Sequence, residues 1–172
     1  MSNAVRNPTP VRTTRNYIAM FGLVALPLVV GGIASYFTSD AMAQFGAFRQ
    51  PPLAPPAWLF PVAWTALYLL MGTASYLLYA FVPADNKQAQ MRRMALGIYA
   101  VQLVINFAWS LVFFGANAHW LAFGLLMTMW ALIIALVVLS FRISKAAGWM
   151  LVPYLMWTTF AAYLNLMIGI LN

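Results

Sequence analysis

The chain has 172 residues, 65% of them hydrophobic and 6% charged, with a net charge of +7. A water-soluble domain carries about 25% charged residues, so too little polar surface is available to face water, and the solvent of this single domain must be lipid. The basic residues sit at segment ends rather than in one patch, which excludes a nucleic-acid footprint, and the absence of cysteine excludes disulfides, thiolate catalysis and cysteine-held metals.

Residues 1–15 form a polar, basic tail carrying Arg6, Arg12 and Arg15. The apolar stretch that follows is longer than a signal-peptide core and has no A-x-A-like cleavage site in the expected place, so it reads as a retained first helix. A transmembrane helix needs about 20 mostly apolar residues. Five stretches meet that length without an Asp, Glu, Lys or Arg: 17–38, 57–82, 94–115, 119–141 and 148–171. The expected fold is therefore an all-α membrane protein, a five-transmembrane-helix bundle spanning 16–172.

Helix one carries Gly22, Pro27, Gly31, Gly32 and Ser35. Gly31 and Ser35 make a small-xxx-small step that lets helices approach closely, within the bundle or between two copies. The connection 39–56 differs from the other, short ones. It contains Gly46 and the prolines Pro51, Pro52, Pro55 and Pro56, and proline removes a backbone donor and fixes φ. This stretch reads as a loop over the mouth of the bundle, or equally as a plain connector.

Helix two presents Phe60, Trp64 and Tyr68 four residues apart, with Gly72 beyond. Helix three carries Gln102, Asn106 and Ser110 at the same spacing, which stacks them on one face. Polar groups in lipid turn into the bundle, so this face is interhelical glue, a polar spot in a cavity, or both. Trp109 lies beside it. Helix five repeats the spacing with Pro153, Trp157, Ala161 and Asn165. An aromatic stripe serves core packing more often than a ligand box. Trp58, Trp120 and Trp149 start helices and read as interfacial belt residues. Trp64, Trp109, Trp130 and Trp157 lie deeper, and Gln102 and Asn106 are candidate partners for their indole N–H groups. His119, the single histidine, sits at a boundary and reads as interfacial rather than as a haem or metal ligand. No acid–base relay, phosphate loop or nucleophile–base pair is present.

Charge sets the orientation. With five spans, Arg6, Arg12, Arg15, Lys87, Arg92, Arg93, Arg142 and Lys145 share one side and Arg49 alone takes the other. The tail is then cytoplasmic in the cell membrane and Asn172 is outside. Trp64, Asn106, Trp109, Trp157, Ala161 and Asn165 gather toward the outer half, beneath the proline-rich loop. An aromatic cavity with a few polar groups and a lid suits a hydrophobic small molecule.

Three segments, PPLAPPAWLFPVAWTALYLLMG (51–72), QLVINFAWSLVFFG (102–115) and VPYLMWTTFAAYLN (152–165), resemble the translocator protein family, also called the tryptophan-rich sensory protein or peripheral-type benzodiazepine receptor family, in a bacterial member. The resemblance implies a five-helix bundle, usually a homodimer, that binds porphyrins and isoquinoline- or benzodiazepine-type ligands. It needs no cofactor; a haem-type tetrapyrrole is the ligand. It places the pocket on Trp64 and Tyr68, on Trp157 and Ala161, on Asn106 and Trp109, and the loop proline on Pro55. Three functions follow from it: sensing or regulation through a bound tetrapyrrole, light-dependent porphyrin breakdown with Trp64 and Trp157 as electron donors, and transport of the ligand. Arg49 is the one outer cation available to a porphyrin propionate. Tyr163 is followed by LNLMIGILN, without the basic residue of the animal cholesterol pattern, so the resemblance carries no sterol site by that route.

Overall fold

The computed structural model describes residues 16–39, 45–46 and 48–172. The tail and its three arginines lie outside them, as does part of the 39–56 loop.

Five helices account for the described fold, and each is long and apolar enough to cross a membrane. Helix α1 spans Tyr17–Phe37, with the Asn16 side chain accepting the Ala19 N–H at its start. Helix α2 spans Leu59–Ala80, directly after the proline pair. Helix α3 spans Asn86–Ser110 and continues through one wide, π-type stretch, Leu111–Gly115. Helix α4 spans His119–Ile143 and helix α5 spans Lys145–Leu171.

Two starts differ from the hydropathy limits. Helix α3 begins at Asn86 instead of 94, because Asp85 caps it. The Asp85 carboxylate accepts the Gln88 N–H at 2.7 Å, and the Gln88 side chain accepts the Ala84 N–H at 2.9 Å. Such a reciprocal pair satisfies the N–H groups that a helix start leaves free. Helix α5 begins at Lys145 instead of 148. Ser144 alone separates it from α4: its N–H ends α4 on the Ser140 carbonyl at 2.7 Å, and its hydroxyl accepts the Ala147 N–H. Lys87, Arg92, Arg93, Arg142 and Lys145, expected in loops, therefore lie on helix ends. A helix does not stop where hydrocarbon stops. At about 1.5 Å per residue, 25 residues exceed a hydrocarbon core of roughly 30 Å. Arg92 also donates to the Phe81 carbonyl at 2.9 Å, covering the open end of α2.

Helix α4 packs most extensively on α5, then α3 on α4, α1 on α2 and α2 on α5. The order around the bundle is α1, α2, α5, α4, α3, closed by a thinner seam between α1 and α3. Gly72 makes the α1–α2 approach possible: a Cβ there would stand 2.6 Å from the Val24 Cα and 2.8 Å from the Leu23 carbonyl oxygen. Gly31 does the same from the other side, since a Cβ would collide with the Tyr68 ring. The Gly31 contact read from the sequence is thus one within the bundle. Gly32 meets nothing and stays open.

Candidate ligand cavity

The five helices converge unevenly, and the thin α1–α3 seam leaves space near the end of the bundle that carries Asn172. A cavity of about 310 Å³ lies there between α1, α2 and the π-type end of α3. Its walls include Phe60, Trp64 and Tyr68 from the α2 stripe, Ser110 from the polar face of α3, and Trp109 beside that face. The stripe on α2 reaches it because positions 60, 64 and 68 share one helical face.

Trp64 is the hub of this wall. Its ring lies 5.5 Å from Tyr68, 5.9 Å from Trp109, 6.3 Å from Tyr154 and 6.4 Å from Trp157, centroid to centroid. Trp157 in turn stands edge-on to Phe60 at 6.1 Å. Trp109 stacks on Phe113 at 5.6 Å. Such offset and edge-on pairs fix ring orientation and add to the burial they bring.

Behind the aromatic wall runs a buried polar chain. The Tyr68 hydroxyl donates to Asn106 Oδ1 at 2.9 Å. Asn106 Nδ2 reaches the Tyr154 hydroxyl at 3.4 Å, and that hydroxyl donates to Gln102 Oε1 at 2.8 Å. Gln102, Asn106 and Tyr154 are each at most 1% exposed. The two amides were expected to serve indole N–H groups; they serve tyrosine hydroxyls instead. Trp109 finds Asn165 Oδ1 at 3.2 Å, and Asn165 Nδ2 donates onward to the His119 carbonyl at 2.8 Å. Trp130 donates to Thr159 at 2.8 Å. The reason is the order of the helices. α5 sits opposite the polar face of α3, so Tyr154 and Asn165 arrive where Gln102, Asn106 and Trp109 point.

The remaining expected residues lie elsewhere. Trp157 is on the far side of Trp64, where it lines a shallow apolar groove between α2 and α5, and its indole nitrogen is buried without a partner. Ala161, one turn on, is core at 8% exposed. Gln102 and Asn106 support the wall from behind and do not line the cavity. Pro55, half-buried before α2, does not line it either. Sequence reasoning missed the α1 wall of Gly31, Gly32, Ser35 and Thr38 as part of a cavity. Its small side chains were the signal, read only as a packing surface. His119 begins α4, its ring between Phe48 at 4.9 Å and Phe113 at 5.3 Å. Among the described residues no cluster of side chains suits a metal.

The arrangement offers a flat apolar molecule aromatic faces on one side and a small-residue floor on the other. Comparison with known proteins places the chain in a family. The sequence profile described as the TspO/MBR family matches residues 23–171. A tryptophan-rich protein TspO of Chlorobaculum tepidum is 35% identical over 150 residues, covering 87% of this chain and 92% of that one. A tryptophan-rich sensory protein of Cereibacter sphaeroides is 38% identical over 117 residues, 68% and 69% of the two chains. A translocator protein of Ovis aries is 32% identical over 150 residues, 87% of each. Five membrane-length helices, with an aromatic wall built from the same segments that carried the resemblance, agree with that profile across nearly the whole chain, which is a multi-pass membrane protein and belongs to the TspO/MBR family.

Proposed function

We propose that this protein binds porphyrins and similar flat apolar molecules in the cavity between α1, α2 and α3, and acts through that binding as a membrane sensor or regulator. The observation that carries the reading is the wall of Phe60, Trp64, Tyr68 and Trp109 facing the small residues of α1. A planar ring system gains stacking on such faces, and an apolar cavity with few polar groups is what a small-molecule site requires. Relatives named as sensory and translocator proteins agree with the role. No resident cofactor is part of the proposal. Pairing as a homodimer, which the resemblance implies, belongs to it, with Gly31 taking no part because Tyr68 covers it.

The described cations support the proposed orientation. Lys87, Arg92, Arg93, Arg142 and Lys145 mark one end of the bundle and Arg49 the other. The first end faces the cytoplasm by the positive-inside rule, and the cavity opens toward the outer half.

The test is tryptophan quenching by a panel of free-base and metal porphyrins, in darkness and under illumination, on protein in mild detergent. Saturable quenching in the dark, with unchanged porphyrin recovered, is the expected result. Absence of saturable binding across the panel contradicts the proposal. Trp64 lies within 6.4 Å of Trp157 and 5.9 Å of Trp109, close enough for electrons to pass between rings. The illuminated arm therefore tests the enzymatic reading: new porphyrin products that depend on light and on Trp64 establish breakdown in place of sensing.

A further inference from the structure

The end of the bundle opposite Asn172 carries Lys87, Arg92, Arg93, Arg142 and Lys145, and Asp85 is the one acidic side chain among the described residues. Asp85 is committed to its own helix, accepting the Gln88 N–H at 2.7 Å. Arg92 is committed to α2, donating to the Phe81 carbonyl at 2.9 Å. Lys87, Arg93, Arg142 and Lys145 are all exposed. Five cations against one occupied carboxylate leave this end in need of a counter-charge from outside the chain.

One place at this end combines charge with aromatic surface. Arg142 lies in the last turn of α4 and Lys145 begins α5, with the Ser144 link between them. Phe141 and Trp149 bracket both cations in sequence and meet across the turn, edge-on at 5.4 Å. Gly148 makes that meeting possible, since a Cβ there would stand 2.6 Å from the Phe141 ring. Trp149 is 67% exposed, so the ring pair shows one side to the surroundings. The local charge is also set against the helix. Lys145 stands at the positive end of the α5 dipole, where a cation is unfavourable, and the first turn of α5 holds no acid. An anion beside Lys145 removes that conflict.

We infer that the α4–α5 turn binds the headgroup of an anionic phospholipid. The Arg142 guanidinium offers paired N–H groups to the two free oxygens of a phosphate diester, and Lys145 adds a point charge. Trp149 and Phe141 lie against the glycerol and the upper acyl chains, the layer in which tryptophan is favoured. A soluble anion would use the cations and leave the rings idle; a phospholipid uses both. The inference does not rest on the cavity or its ligand. It does not rest on the orientation either, because a headgroup layer bounds the bundle on both sides of the membrane.

The experiment is native mass spectrometry of the full chain in mild detergent, titrated with phosphatidylglycerol and with phosphatidylcholine of the same acyl chains. Wild type is compared with Arg142→Gln/Lys145→Gln and with the charge-matched control Lys87→Gln/Arg93→Gln. All four positions are exposed, and melting temperatures check that the variants are folded. Wild type is expected to hold one phosphatidylglycerol at least ~10-fold more tightly than phosphatidylcholine, less so as salt is raised. Arg142→Gln/Lys145→Gln is expected to lose ~10-fold in phosphatidylglycerol affinity, the scale of removing two cations from an anionic lipid surface, and the control to stay within about twofold. Equal affinity of wild type for the two lipids overturns the proposal without recourse to any variant. Equal losses in the two double variants also overturn it, because the cations then act as diffuse charge. A last arm adds inorganic phosphate in place of lipid: protection of the fold by phosphate equal to that by phosphatidylglycerol makes the turn a site for free anions and contradicts the lipid assignment.

Discussion

Gly72→Ala is expected to destabilise the bundle by about 1–3 kcal/mol, the usual cost of overpacking a filled site, read as a lower melting temperature in detergent. The atoms a methyl group would meet are the Val24 Cα at 2.6 Å and the Leu23 carbonyl at 2.8 Å. They are backbone, so no rotamer change relieves the contact and α1 must move as a whole. Because α1 forms one wall of the cavity, ligand affinity falls with stability. The same substitution at Gly97 or Gly124 has the opposite sign. There a Cβ meets nothing within 4 Å, and alanine is favoured over glycine within a helix by about 1 kcal/mol. Equal melting temperatures for Gly72→Ala and Gly97→Ala contradict the close α1–α2 approach.

Asn106→Leu is expected to cost about 1–2 kcal/mol. The volume is nearly kept, but the Tyr68 hydroxyl loses its acceptor and is left orphaned in an apolar interior. An unmade hydrogen bond of this kind costs roughly 1–3 kcal/mol in soluble proteins, and interhelical bonds in membranes fall at or below the lower end, about 0.6–1.7 kcal/mol. Tyr154 keeps Gln102, so only one hydroxyl is stranded. The double variant Asn106→Leu with Tyr68→Phe removes the stranded group and should recover much of the loss. Strict additivity of the two single effects contradicts the pairing.

These residues also show how far the sequence could be read. The stripe Phe60, Trp64, Tyr68 was visible because one helical turn repeats every 3.6 residues, and three of its members do line one wall. The five spans were visible because lipid leaves no room for charge. What spacing could not show is which helix stands opposite which. Trp109 meets Asn165, and Asn106 meets Tyr68 and Tyr154, because α2 and α5 are neighbours across from α3; no local pattern encodes that order. For the same reason Trp157 and Trp64 share a contact while only Trp64 reaches the cavity, and Ala161 lies in the core. The helix starts were misplaced for a different reason. Hydropathy reports where lipid ends, whereas Asp85 with Gln88, and Ser144, report where the helix begins. The α1 wall was hidden because small residues serve close packing and cavity floors alike. Gly31 does the first and also borders the second.

The most direct test of the ligand cavity uses the glycines of α1. Gly32 lines the cavity, and a Cβ there meets nothing within 4 Å. Gly32→Leu therefore fills space the ligand needs without disturbing a neighbour, and leucine suits a helix better than glycine. Gly22→Leu on the same helix is the matched control: its Cβ is equally free, and it does not border the cavity. Porphyrin titration by tryptophan quenching is run on wild type and both variants in the same detergent, beside their melting temperatures. The cavity as ligand site predicts that both variants melt no lower than wild type, that Gly22→Leu binds as wild type does, and that Gly32→Leu binds at least ~10-fold more weakly, about 1.4 kcal/mol. Equal affinities for wild type and Gly32→Leu, with the fold intact, contradict it.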